Sequence, residues 1–179
     1  MDNLIFKNFT KTTEEEKKLI HEWRNSDRIR SKMTNQEIIS YNCHLKWINN
    51  LENVKNSFYY LFYIGNVPIG VFDIIDIDFK KSCCEYGSYI GDKKYNGYGI
   101  LLTYYGFKHI FEDLNIQKIN ITILKTNNRT YKMVKSVFEA KNSFQDKNND
   151  FLYIDKTIWI NKKLDINDYY KNYKNIIWI

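Results

Sequence analysis

A single proline, seven glycines, three cysteines and three histidines among 179 residues set the first limits on this chain. So little proline and glycine leaves no room for long linkers or low-complexity segments, and the length suits one domain with a sizeable core. Three cysteines, two of them adjacent as Cys83 and Cys84, make neither a disulfide framework nor a zinc ligand set. No apolar run approaches the ~18 residues needed to span a bilayer. Met1-Asp2-Asn3-Leu4 carries neither the basic start nor the hydrophobic stretch of a secretory signal. The chain reads as cytoplasmic, metal-free and independent of membranes.

What is abundant is aromatic and basic: 15 Tyr, 11 Phe and a formal charge of +6. The basic residues are spread among Asn, Asp and Glu and form no nucleic-acid footprint. A positive surface favours small anionic ligands instead.

Patterning predicts a strand over residues 4–9. A helix follows from the capping box at Thr13-Glu14-Glu15-Glu16, with Leu19, Ile20 and Trp23 on its face. Thr34-Asn35-Gln36-Glu37 repeats that start signal ahead of Ile38, Tyr41, Leu45 and Ile48, predicting a second helix up to Leu51. Residues 58–64 and 67–77 are aromatic and β-branched around Gly65-Asn66, a hairpin signal. Pro68 in the second of them requires an edge or a bulge. Further strands are predicted over 84–90, 118–124 and 151–160, helices over 98–111 and 128–138, and an Asn/Asp/Lys loop before residue 151. Residues 165–179, with Tyr169, Tyr170, Tyr173, Ile176, Ile177 and Trp178, read as an amphipathic terminal helix. The expected layout is a 1–160 domain and a 161–179 extension packing on that domain or on a second subunit. The order of elements predicts a mixed α/β (α+β) sheet flanked by helices.

The segment richest in chemistry is Glu85-Tyr86-Gly87-Ser88-Tyr89-Ile90-Gly91-Asp92-Lys93-Lys94-Tyr95-Asn96-Gly97-Tyr98-Gly99-Ile100. It is a strand, a basic glycine turn and a helix start. Glycines let backbone amides approach a ligand closely, and a helix start offers unpaired N–H groups and a positive dipole end. That suits a pyrophosphate, and equally a tight strand-to-helix connection with no ligand. The three-glycine dinucleotide fingerprint is not met.

Lys94-Tyr95-Asn96-Gly97-Tyr98-Gly99 resembles the acetyl-CoA motif Arg/Gln-x-x-Gly-x-Gly/Ala of the GNAT superfamily of acyl-CoA-dependent N-acyltransferases, with Lys in the first place. Asn127, followed by Thr130, resembles the Asn that opens the family's later helix. The resemblance implies a mostly antiparallel central sheet of about seven strands flanked by about four helices. It implies acetyl-CoA as cosubstrate, with pantetheine along Tyr89, Ile90 and Gly91 and phosphates on residues Lys94 to Ile100. A narrower resemblance runs through Leu19-Ile20-His21-Glu22-Trp23-Arg24-Asn25, His44-Leu45-Lys46-Trp47-Ile48 and Cys84-Glu85-Tyr86-Gly87-Ser88-Tyr89. These look like the nucleotide-sugar N-acetyltransferases of pseudaminic acid biosynthesis, which acetylate the 4-amino group of a UDP-linked 4-amino-4,6-dideoxy sugar. The ribosomal-protein N-acetyltransferase branch shares Trp-Arg-Asn and is the next reading, and a non-catalytic acyl-CoA-binding domain is a third.

For the chemistry, Glu85 is the first candidate base, set against a solvated residue at a strand start. His44 is a second, set against a packed histidine. Many family members place a Tyr acid seven residues after the Asn, which here is Val134. Tyr131, one turn earlier, or water remains to protonate the thiolate. Arg24, Arg28, Arg30 and Lys32 are candidates for a substrate diphosphate, with a solvated loop as the alternative for the run Arg28–Lys32. Tyr41 and Trp47 would stack on uracil or sugar, against core packing as the alternative. A homodimer is compatible with the apolar extension.

Overall fold

The computed structural model describes residues 3–162 and 175–179. The apolar run Leu4-Ile5-Phe6 opens β1 (Leu4–Asn8), with Leu4 and Phe6 buried on one face, and Thr13 then caps α1 (Glu14–Asn25) through the expected reciprocal capping box with Glu16. A four-residue helix, α2 (Asp27–Arg30), follows directly. The second long helix, α3 (Tyr41–Asn50), starts later than the Thr34 signal predicts. The reason lies in side-chain amides that hold the intervening backbone extended. Asn25 accepts from the Ile39 N–H at 2.9 Å and donates to its carbonyl at 2.8 Å, while Asn35 accepts from the Glu37 N–H at 2.9 Å. Ser40 then supplies the actual cap.

The hairpin of β2 (Phe58–Ile64) and β3 (Val67–Asp78) turns at Gly65-Asn66. Pro68 pairs with Tyr63 at a register shift, so the bulge it requires is present. β4 (Cys83–Ile90) leads through a 3₁₀ turn (Lys93–Tyr98) into α4 (Gly99–Lys108), which ends in a π turn (His109–Asp113). β5 (Lys118–Leu124), α5 (Asn128–Ser136), β6 (Lys141–Gln145) and β7 (Asn149–Asp155) complete the ordered run. β6 replaces the predicted loop. All five of its residues are exposed, so no burial alternation announced it. The strand predicted to reach residue 160 stops at Asp155, whose carboxylate accepts the Ile158 N–H at 2.9 Å and caps a helix over residues 156–162, α6.

One eight-stranded sheet results, in the order β6-β7-β5-β4-β3-β2-β1-β8, where β8 is Ile176–Trp178. These last residues are a strand parallel to β1, correcting the terminal-helix expectation; Tyr169, Tyr170 and Tyr173 lie outside the described residues. The open edge of β1 explains the difference: its Leu4 N–H donates to the Asn175 carbonyl at 3.0 Å and its Asn8 N–H to that of Ile179 at 2.6 Å. Trp178 stacks on Phe6 at 4.1 Å and on His109 at 3.8 Å. Trp178→Ala is expected to destabilise the protein by about 2–3 kcal/mol, a half-buried version of an aromatic truncation. A thermal melt reads this as a fall of several degrees, and an unchanged Tm would mean that β8 does not dock.

The sheet has a core on each face. Phe6, Phe62, Phe72 and Tyr86 pack beneath α4 and Trp159, while Leu61 and Val71 pack beneath Phe9, Ile20 and Ile48 from the side of α1 and α3.

Candidate active site

β4 and β5 are parallel neighbours over only three pairs, Cys83–Lys118, Cys84–Ile119 and Glu85–Asn120. Beyond Glu85 they part, and the rest of β4 has no β5 partner. A cleft of about 310 Å³ occupies this side, walled by Ser88, Tyr89 and Ile90 of β4, by Asn96, Gly97, Gly99 and Ile100 of the turn, and by Asn127 and Thr130 at the start of α5. An extended ligand could pair with the unpartnered β4 backbone as a strand would.

The turn shows why glycine stands where it does. A Cβ added at Gly97 or Gly99 would meet no protein atom within 4 Å, and Gly99 has helical dihedrals of −60° and −37°. Neither backbone conformation nor packing demands glycine there. Both residues face the cleft, so the open space above them suits a ligand that approaches the backbone at the first turn of α4. These residues fit a pyrophosphate, and acetyl-CoA with it. Gly91 answers to packing instead: its Cβ would lie 2.0 Å from the Trp23 ring. Lys94, Tyr95 and Tyr98 do not wall the cleft. The Lys94 N–H donates to the Asp92 carboxylate at 2.9 Å, and the two tyrosine rings pack together at 5.7 Å. Asn127 caps α5 by accepting the Thr130 N–H at 3.3 Å. Its pairing with Thr130 is therefore a helix cap that also faces the ligand space.

Three cations line the same cleft, each on a neutral carbonyl. Arg28 donates to the Ile90 and Gly91 carbonyls at 2.9 and 2.5 Å, Lys32 to Thr126 at 3.0 Å, and Arg129 to Asn96 at 2.8 Å. A phosphate would be a stronger partner for all three. Arg129 carried no motif signal in the sequence.

A second cavity of about 330 Å³ adjoins the first and shares Met33 and Tyr89 with it. Arg24, His44 and Trp47 meet there as three of the predicted substrate residues, with Phe9, Tyr59, Val71 and Asp73 around them. The other three are elsewhere. Arg28 belongs to the first cleft, Arg30 pairs with Asp27 and donates to the Gln36 carbonyl, and Tyr41 packs edge-on to His21. The basic cluster is thus divided among three surroundings. Trp47 is 39% exposed and stands edge-on to Tyr59 at 4.9 Å, so it is a cavity wall and not a core residue.

Two polar groups of this cavity are unsatisfied. His44 is buried with no partner for Nε2 among the described residues; burial, then the nearby His21, pushes its pKa down to about 4, so it is neutral at physiological pH. Arg24 spends one Nη on the Asn35 carbonyl at 2.7 Å, while its other Nη is buried without a partner among the described residues. A buried N–H group left in this state favours a ligand oxygen.

Asp73 is the residue that sequence reasoning missed. It stands on β3 directly between Tyr59 of β2 and Gly87 of β4. Its carboxylate fills the space above Gly87, where a Cβ would come within 2.5 Å of Oδ1. Burial first, and then the Glu85 charge, push its pKa up to about 7. The signal that could have found it was the same as for Glu85: a lone carboxylate in an apolar strand. Glu85 itself lines neither cavity, and lies on the same β4 face two residues before Gly87. Tyr131 also lines neither; it is half-buried against the core, one turn before the fully buried Val134.

The parted strands, the glycine cradle and the mixed sheet around them form the GNAT fold of acetyltransferases. No family model matches the chain. It is 33% identical over 149 residues to the acetyltransferase PseH of Campylobacter jejuni, covering 83% of this chain and 90% of that protein. The crystal structure of C. jejuni PseH in complex with acetyl coenzyme A superposes with a TM-score of 0.71 at 24% identity, over 86% of this chain and 99% of that one. FdhC, a nucleotide-linked sugar GNAT, superposes with a TM-score of 0.72 at 17% identity, over 87% and 89% of the two chains. The chain belongs to the PseH family of acetyltransferases.

Proposed function

We propose that this enzyme transfers the acetyl group of acetyl-CoA to the 4-amino group of a UDP-linked 4-amino-4,6-dideoxy sugar, in the cytoplasm, as a step of pseudaminic acid biosynthesis. The observation that carries the mechanism is the pair of cavities meeting at Met33 and Tyr89. Donor and acceptor can be held at once, which favours direct transfer in a ternary complex and replaces a bimolecular encounter by alignment. Burial pushes the Cys84 thiol up to about 12, so this cysteine is unsuited to carry an acyl group.

The acceptor reading draws on family membership and on the second cavity's chemistry. Aromatic walls at Trp47 and Tyr59 suit the face of a sugar or base, and the unpartnered nitrogen of Arg24 suits an acceptor oxygen. Arg28, Lys32 and Arg129 supply charge for the phosphates of acetyl-CoA. The thiolate needs no side-chain acid, because a thiol of pKa ~8.5 leaves readily and water reaches an open cleft. Tyr131 has no part in this scheme.

The test is thiol release from acetyl-CoA by purified protein offered UDP-linked 4-amino-4,6-dideoxy-N-acetyl-altrosamine and, separately, a ribosomal N-terminal peptide. Turnover is expected with the sugar nucleotide alone. Turnover confined to the peptide would replace this reading by protein acetylation.

A further inference from the structure

We propose that Asp73, and not Glu85 or His44, is the group that takes the proton from the acceptor's ammonium, and that Glu85 is a positioning residue acting through it. The assignment rests on the reading above only in taking the acceptor to be a protonated amine.

Its basis is where the strands put the carboxylate. Asp73 is a wall of the acceptor cavity, whereas Glu85 is not. It lies over Gly87, two residues beyond the last β4–β5 pair, where the cofactor cleft opens. Tyr89, the next residue on that β4 face, lines both cavities. An amine seated in the acceptor cavity and directed at the cleft must pass this carboxylate. Gly87 makes that possible, since any side chain there would take the carboxylate's place. Asp73 also has no ion pair among the described residues, although Arg24 lines the same cavity. A carboxylate left unpaired in a cavity is available to a cationic ligand.

The groups facing Asp73 are Tyr59 of β2, Glu85 and Tyr89 of β4, Arg24 of α1 and His44 of α3. Both tyrosines are held up by burial and the Asp73 charge, Tyr59 to about 12, so they are neutral. His44, at about 4, binds a proton too weakly to keep one near neutral pH. Asp73, at about 7, lies in the range where a base both exists ionised and holds what it takes. Glu85 contributes by raising it: its negative charge, close on the same sheet face, makes Asp73 a better base than an isolated aspartate.

The ammonium gives one proton to Asp73, which becomes a neutral carboxyl. The freed nitrogen lone pair forms the C–N bond to the acetyl carbon, the C–S bond breaks, and its electron pair leaves on sulfur. A second nitrogen proton ends on that sulfur, and Asp73 returns its own to solvent. One ammonium and one thioester become one amide, one thiol and one proton.

The experiment measures kcat/KM against pH for the full-length native protein, Asp73→Asn and Glu85→Gln, with the sugar nucleotide as acceptor and acetyl-CoA affinity as a control. The native profile should rise through a midpoint near 7, and Glu85→Gln should move that midpoint to lower pH. Asp73→Asn should lose roughly 10²–10⁴-fold near neutrality, the usual contribution of a positioned base, with acetyl-CoA affinity unchanged. Its deficit should shrink as pH rises and free amine becomes available from solution. A deficit that is the same at every pH, or a loss below about threefold, would overturn the assignment. The Asp73 carboxyl carbon, followed by NMR in ¹³C-aspartate-labelled protein, gives a readout without acceptor or variant at this position. A midpoint near neutral that falls in Glu85→Gln supports the assignment, and one in the ordinary carboxylate range overturns it. If the native protein does not turn over the sugar nucleotide, the acceptor reading fails while the titration still decides the role of Asp73.

Discussion

Gly97→Ala is expected to weaken acetyl-CoA binding at least tenfold while leaving the unliganded protein as stable as before, or slightly more so. The two effects have separate causes. Gly97 lies in the 3₁₀ turn ahead of α4, outside the left-handed region, and an alanine methyl there would touch no atom of the described residues within 4 Å. Alanine is favoured over glycine in a helix by up to about 1 kcal/mol, less in such a turn, so the fold loses nothing. The same methyl projects into the cleft where the phosphates must approach the N–H groups of the helix start. Holding them off by an ångström or more forfeits charge-assisted hydrogen bonds, and about 1.4 kcal/mol of loss is already tenfold in affinity. Calorimetric titration with acetyl-CoA and a thermal melt of the same sample check both halves. Undiminished binding would show that the turn does not cradle the phosphates.

Asp73→Asn is expected to stabilise the protein above neutral pH and to leave it nearly unchanged near pH 4. The Asp73 carboxyl is pushed up to about 7 from an ordinary value of 3.8. Between those values the folded chain holds a proton that the unfolded chain has released, so stability falls as pH rises through this window. Above 7 the penalty of an ionised, half-buried carboxylate is fully present. Asparagine fills the same space over Gly87 and carries no such penalty. At about 1.4 kcal/mol per pH unit the gain at pH 8 is roughly 2–4 kcal/mol, or several degrees in Tm. Equal stability of the two proteins at pH 8 would mean that Asp73 is not held as the surrounding strands suggest. A group that lowers stability where the enzyme works is consistent with a functional carboxylate, because stability and activity commonly trade against each other at such sites.

Much of the scaffold was legible because its causes are local. The capping box at Thr13, the hairpin around Gly65-Asn66, and Ile119, Ile121 and Ile123 alternating along β5 each carry their own instruction within a few residues. The glycine turn belongs with them, since strand, turn and helix start are contiguous. Where local signals competed, they misled. Thr34 offers a start signal, but Asn25, which lies on α1, holds Ile39 extended. β6 and β8 had no readable pattern because each exists by pairing with an edge, β6 on β7 and β8 on β1.

The acceptor site was less legible for the same reason. Arg24, His44, Tyr59 and Asp73 come from four different elements, and Gly87 from a fifth. Nothing in their spacing joins them. The sequence by itself determined most of the elements, the glycine turn and the family resemblance, because hydrophobic period, capping and turn chemistry act over a few residues. Only the tertiary structure decided which carboxylate lines the second cavity and which cations line the first cleft. Strand register and the parting of β4 from β5 make that choice: they put Asp73 in the cavity over a residue with no side chain and leave Glu85 outside it.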